Sequence, residues 1–322
     1  PVFAETELRW GTHEHSHFNV TYAFDAKLYT DPEQELANET EHAIALGGTL
    51  DQDTRFGNVY TTAKFTVAMR DESAFDRDTG EPQRSNGQDV SDRFDAMRIG
   101  PEIYYHRDIG WFGFGFDVEG YIDKYEVDPE LSFLDLTNSQ YLVGAHVSVR
   151  PFEGTSIRLS HDWYQREYDE RLARDLDGLI LAGNEPTNYD YNASGLTLRQ
   201  RLWGPLTLGF DYRYTDRIDK FQSYDTYARH SGRLQLRLRT KRIKLRAAAT
   251  YRTYDFPNAF AFNDPALGER TLDALRYGID GSFRLTRHFY LDGRMIVQTV
   301  DSSDPRYAYD QTVGSVGLRY RY

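Results

Sequence analysis

Thr312-Val313-Gly314-Ser315-Val316-Gly317-Leu318-Arg319-Tyr320-Arg321-Tyr322 forms the end of the sequence. In an extended strand, successive side chains point to opposite faces. Val316, Leu318, Tyr320 and Tyr322 therefore share one face, and Ser315, Gly317, Arg319 and Arg321 share the other. A strand that ends on an exposed aromatic residue, with no polar tail, is out of place in water. It is expected where one face meets lipid and the aromatic tip sits at the membrane–water interface.

The same alternation recurs upstream. Phe112, Phe114, Phe116, Val118 and Ile122 oppose Trp111, Gly113, Gly115, Asp117, Glu119, Tyr121 and Asp123. Leu206, Leu208, Phe210, Tyr212 and Tyr214 oppose Thr207, Gly209, Asp211, Arg213, Thr215 and Arg217. Leu234, Leu236 and Leu238 oppose Arg233, Gln235, Arg237 and Arg239. Between such stretches, short turns alternate with long polar segments. The short ones fall at Arg107–Gly110, Pro151–Gly154, Trp203–Pro205, Thr240–Arg242 and Thr286–His288. The long ones fall near 71–92, 127–138, 169–188, 218–226, 255–270 and 301–310. Sorting loops by parity is the rhythm of an up-and-down barrel, with tight turns on one side and long loops on the other.

Composition agrees. The 322 residues are 39% hydrophobic and 15% aromatic, with 24 Tyr and 19 Phe, and the mean hydropathy is −0.68. No apolar run reaches the ~20 residues of a membrane-crossing helix. A polar average rich in Tyr suits a barrel in which only alternate residues need be apolar. Cysteine is absent, which fits an envelope protein but specifies little. Pro1-Val2-Phe3-Ala4-Glu5 lacks the basic-then-apolar pattern of a secretion signal. That leaves a processed start, or a start inside a longer precursor, as the two readings.

On these features the chain resembles Gram-negative outer-membrane β-barrel proteins of the porin-like kind. The resemblance implies an all-β fold, a transmembrane antiparallel up-and-down barrel of about 14 strands (12–16), over residues 17–322. Residues 1–16 are expected to be a periplasmic lead-in or a first strand, with both ends of the chain on the periplasmic side. It further implies a place in the outer membrane, contact with lipid and lipopolysaccharide, and recognition of Tyr320 and Tyr322 by the barrel assembly machinery. In size and strand number the chain is also similar to the C-terminal barrel of surface lipoprotein assembly modifiers. That likeness implies a secretion or assembly role, with a periplasmic or envelope protein as partner. A non-conducting scaffold is the third reading. No nucleic-acid partner and no cofactor are expected.

Charge is unevenly spread. Residues 191–322 carry 22 Lys/Arg against 13 Asp/Glu, a net +9, which leaves −21 on residues 1–190 of the total −12. Period-2 phasing puts Arg199, Arg201, Arg213, Arg217, Arg233, Arg237, Arg239, Lys244, Arg246, Arg252, Arg276, Arg284, Arg294, Arg319 and Arg321 on the inner face. Guanidinium groups suit carboxylates and phosphates, so a wall of them draws anions. The plainer expectation is that these groups pair across the lumen and stiffen it. Asp117, Glu119 and Asp123 form an acidic wall, with Glu102 expected near a turn. His13, His15 and His17 share one face of an extended chain, a pattern that can ligate zinc, copper or nickel or simply be solvated. Asp76-Arg77-Asp78-Thr79-Gly80 is a fragment of a calcium loop without its downstream Glu; such acidic loops are ordinarily solvated.

Catalytic motifs are missing: there is no Gly-x-Ser-x-Gly elbow, phosphate-binding Gly loop or Cys nucleophile. Ser160, His161 and Asp162 are adjacent on one strand, where neighbours face opposite sides. The expected function is non-enzymatic: a channel or exporter passing polar or anionic solutes, or polysaccharide, through an Arg-lined lumen.

Overall fold

A run in which branched and aromatic side chains alternate with Gly, Thr and charge favours the strand over the helix nearly everywhere. The computed structural model describes residues 2–13, 16–27, 39–54, 57–72, 84–85, 88–89, 95–125 and 135–320. The strands are β1 (Val2–His13), β2 (Ser16–Lys27), β3 (Glu39–Thr54), β4 (Gly57–Glu72), β5 (Arg84–Ser85), β6 (Gln88–Asp89), β7 (Ala96–Ile109), β8 (Phe112–Tyr125), β9 (Asn138–Val149), β10 (Thr155–Leu172), β11 (Pro186–Trp203), β12 (Leu206–Asp219), β13 (Tyr227–Arg239), β14 (Ile243–Phe260), β15 (Glu269–Arg284), β16 (Phe289–Ser302) and β17 (Tyr309–Tyr320). Fifteen of them form one antiparallel meander in sequence order. β5 and β6 make a small separate hairpin. β1 and β17 are the two edges, and among the described residues they do not pair with each other.

The strand beyond fourteen is β1. Leu8 and Trp10 alternate with Glu7 and Arg9, and they lie opposite Val20 and Phe18 of β2. This strand corrects one expectation. Fifteen strands of alternating direction leave the outer two running the same way. β17 finishes at the short-turn end, so β1 starts at the long-loop end, and Val2 and Tyr320 lie at opposite ends of the strands.

Turn chemistry explains the parity of the loops. Gly110 takes φ 61° between β7 and β8, and Gly154 takes φ 79° before β10, conformations that side chains resist. A Cβ on Gly154 would also come within 2.8 Å of the Arg201 side chain. At the other end the strands overshoot: β10, β11 and β14 have 18 residues each, against the ~9–11 that cross a bilayer.

Cross-strand register keeps one facing throughout. Leu208, Leu236 and Ala247 form one apolar row, as do Phe210, Leu234 and Ala249. The neighbouring row on the other face reads Arg237, Arg246, Asp280 and Arg294. Burial is inverted relative to a water-soluble fold. Phe18 is 73% exposed and Leu318 is 72% exposed on the apolar face, whereas Gln235 (2%) and Thr215 (0%) are buried on the polar face. Each large side chain left in water forgoes roughly 1.5–3 kcal/mol. Dozens of them on one surface are tolerable only where that surface meets hydrocarbon.

The long loops pack on one another. The Tyr224 ring is fully buried, and its hydroxyl donates to Asn263 Oδ1 at 2.7 Å. Asn258 donates to Ser223 O, and Gln222 Oε1 accepts from Leu176 N–H. Asp304, buried in the last loop, accepts from Phe262 N–H at 3.1 Å and from the guanidinium of Arg306. That guanidinium, helped by the backbone donors, holds the Asp304 carboxyl well below the usual carboxylate range. A carboxyl lowered in the folded state stabilises it above the ordinary Asp value of about 3.9, and the contribution is lost as pH falls below that value. Asp304→Ala is therefore expected to release the loop at neutral pH, which faster tryptic cleavage after Arg306 would register. In the unsubstituted protein, hydrogen-exchange protection of residues 303–308 is expected to hold from pH 7 to pH 5 and to decline below about pH 4.

Candidate functional site

The polar face is a grid of charges, and register decides which of them meet. Arg199 reaches Asp211 at 2.8 Å, Arg213 reaches Asp162 at 2.7 Å, and Arg246 reaches Asp280 at 2.6 Å. Arg319 holds Asp292 through two contacts of 2.8 and 2.9 Å. Arg201 is only loosely near Glu153, at 3.9 Å. Arg284 donates to Thr286 O, and Arg237 to Gln235 Oε1. Arg233, Arg239, Lys244, Arg252, Arg276 and Arg294 lie on the same face with no acidic partner among the described residues. All six belong to β13–β16.

Arg217 has a different setting. Its guanidinium lies 4.5 Å from the Tyr189 ring centre and 4.2 Å from that of Tyr227, and it donates to the Asp225 carbonyl. Tyr164 stacks on Tyr191 at 4.1 Å beside this sandwich. With Tyr168, Tyr254 and Phe256 these rings make the one buried aromatic cluster on the polar side among the described residues. It lies directly beneath the packed loops. Sequence phasing places Arg217 inward; the ring sandwich depends on neighbours across strands.

The acidic wall is unevenly occupied. Asp123 is held by Arg98 through contacts of 2.6 and 2.9 Å. Asp117 lies over Gly144, where a Cβ would meet its carboxylate at 2.5 Å. Glu119 is opposite Glu102, and Glu102 is opposite Lys64. Glu102 is thus in mid-strand and not near a turn.

Some sequence candidates lie partly outside the described residues: His15, Arg321, Tyr322, and the side chain of His13. His17 is on the polar face, opposite Thr49. Among the described residues, no group of three or more His, Cys, Asp or Glu side chains is placed to hold a metal. Tyr320 is opposite Phe289 at the edge of the sheet, with ring centres 5.1 Å apart. Ser160, His161 and Asp162 do not converge. His161 contacts Ser194 on the outer face, while Asp162 takes Arg213 on the inner one.

One chain of contacts went unread in the sequence. His106 Nε2 is 3.2 Å from Asp108 Oδ1, and its Nδ1 is 3.0 Å from His146 Nε2. With a neutral His106, the proton that meets the carboxylate sits on Nε2, and Nδ1 accepts from His146 Nε2–H. His146 Nδ1 is then a buried lone pair without a partner among the described residues. The signal available was two His at inward positions, both opposite Gly115, with Asp108 opposite Gly113; the missing side chains of the two glycines make room for the imidazoles and the carboxylate.

No protein-family model matches the chain, and curated proteins give no sequence match. Solved structures do match. The copper transporter OprC superposes over 99% of this chain and 58% of its own length, with a TM-score of 0.55 at 10% identity. The ferripyoverdine receptor of the Pseudomonas aeruginosa outer membrane covers 99% of this chain and 57% of its own, with a TM-score of 0.48 at 11% identity. A loop-deleted OmpT, an outer membrane protein of Vibrio cholerae, covers 99% and 96%, with a TM-score of 0.46 at 10% identity. The chain thus spans little more than half of OprC. It has the fold of Gram-negative outer-membrane β-barrel proteins, and its apolar exterior belongs in that membrane.

Replacing Arg217 by Ala removes two ring contacts and a charge-assisted hydrogen bond at once. The expected loss is about 2–4 kcal/mol, measured as a lower urea midpoint in detergent. Arg287→Ala, in the exposed β15–β16 turn, is expected to leave the midpoint unchanged.

Proposed function

We propose that the chain forms an outer-membrane channel whose lumen favours anions. The observation that carries this reading is the set of unpartnered cations on β13–β16, facing the same side as the paired ones. Pairing elsewhere on the grid stiffens the wall, as a structural lattice would. Here the lattice is incomplete, and the surplus is all of one sign. A low-dielectric wall focuses that surplus into the lumen and raises the local concentration of anions. Transport is also the role of OprC, whose fold this chain shares; at 10% identity that likeness does not extend to its copper cargo.

Planar-bilayer reversal potentials in a salt gradient test the reading. The expected result is anion preference that shrinks as salt rises, because the Debye length falls from about 10 Å at 0.1 M to about 3 Å at 1 M. Arg233, Arg237, Arg276 and Arg294 changed together to Gln should bring the preference close to neutral or reverse it, since none of the four is matched to a carboxylate. A cation-selective pore, or a quadruple variant indistinguishable from the parent, would refute the surplus as a selectivity element. Insertion without conductance would favour an assembly or scaffold barrel instead.

A further inference from the structure

We propose that β13–β16 hold a discrete binding site for a compact oxyanion carrying two negative charges. The proposal deepens the anion-channel reading and rests on it for the supply of such ions to the lumen. A recess of about 230 Å³ opens on the polar face and is lined by Arg233, Arg246, Arg252, Arg276, Asp280 and Arg294. Its floor joins two small residues to Ile296, which is paired with Gly278. Ala248 is paired with Gly278 across β14 and β15, and a Cβ on Gly278 would meet nothing nearer than 3.9 Å.

Register builds the rim. On the loop side of that floor lies the row Arg233, Thr250 and Arg276, with Arg252 one row further. On the turn side lies the row Arg246, Asp280 and Arg294. Arg246 and Asp280 satisfy each other at 2.6 Å. Four guanidinium groups then remain around the recess without an acidic partner among the described residues. Arg233 Nε is buried and has no hydrogen-bond acceptor among the described residues. A buried donor with no acceptor, beside a gap surrounded by cations, lacks a group that accepts several hydrogen bonds and carries negative charge.

Guanidinium forks bind planar or tetrahedral oxygens two at a time. A halide offers no such pair of oxygens. A monocarboxylate offers one pair, whereas phosphate, sulfate and short dicarboxylates offer two or more and answer more of the excess charge. The Ala248–Gly278 part of the floor leaves room for the body of the ion between the two rows. Those features select a small dianion over a halide or a long polymer.

Isothermal titration of the full chain in non-ionic detergent tests the site, with inorganic phosphate at pH 8, sulfate, succinate and chloride as separate probes. Saturable one-to-one binding of at least one dianion is expected, at least tenfold tighter than that of chloride. Which dianion binds best identifies the source chemistry. Arg233→Gln with Arg276→Gln should weaken binding at least tenfold. Gly278→Leu should weaken it similarly while leaving every charge in place, because the new side chain fills the floor. Arg276→Lys keeps the charge but loses the fork, and should also weaken binding. Arg287→Gln should leave it within twofold, and strand content by circular dichroism confirms that each variant is folded. No saturable binding of any dianion, equal binding of chloride, or unaltered binding by Gly278→Leu would overturn the site. Anion-selective conductance without saturable binding would overturn it and leave the channel standing. Binding without conductance would do the reverse.

Discussion

Everything in this structure depends on one constraint: side chains of a strand alternate with period two, and every backbone polar group must be paired where no water is available. An antiparallel meander meets the second requirement between neighbours. The first then divides the sequence into two surfaces. Because one facing is kept across the fifteen-stranded sheet, rows such as Phe210, Leu234 and Ala249 continue one apolar surface, and inward charges are set against inward residues of the neighbouring strand. A one-residue slip of β13 would turn Arg233, Arg237 and Arg239 to lipid, at several kcal/mol each near the midplane. The register is therefore held by the environment as much as by the hydrogen bonds.

Within the polar side, two regimes follow. Beneath the packed loops, aromatic rings enclose Arg217 and fill the wall, so charge there is spent on structure. Nearer the short turns, the side chains are Arg, Lys, Asp and small residues, and the wall keeps recesses. The difference lies in whether an arginine finds rings, as Arg217 does with Tyr189 and Tyr227, or finds Ala248 and Gly278. Small residues at inward positions leave neighbouring guanidinium groups separated from any partner. A surplus of donors survives only where packing does not consume it.

How much of this was legible in the sequence follows from the same physics. Period-two alternation is local, so the facing of Leu234 against Arg233, or of Phe114 against Gly115, is readable from one strand. Loop parity is likewise local, and it set the architecture. Pairing is not local. That Arg213 meets Asp162, two strands away, while Arg233 meets no acid, depends on the shear of three strands against one another, and no single stretch encodes it. β1 was ambiguous for a related reason: Leu8 and Trp10 alternate correctly, but only pairing with β2 separates a first strand from an extended lead-in. The Asp108–His106–His146 chain was hidden because its key residues, Gly113 and Gly115, act by what they lack.

The charge asymmetry along the sequence acquires meaning from the topology. In a meander, sequence order becomes position across the sheet, so the inward acids Asp117, Glu119 and Asp123 of β8 and the inward arginines of β13–β16 occupy different sectors of one face. Neutralisation then needs either contact across a gap or an ion from solution. Contacts in the described structure span one or two strands, as between Arg213 and Asp162, because side chains reach no farther. Beyond that distance water and salt weaken the attraction between sectors, with a screening length near 10 Å at 0.1 M. In the proposed channel, the basic sector on β13–β16 is what draws mobile anions, since no acidic side chain among the described residues reaches its unpaired guanidinium groups. A strand order that interleaved acidic and basic segments would have closed the grid with ion pairs and removed the surplus. The separation of charge along the sequence is what keeps it available.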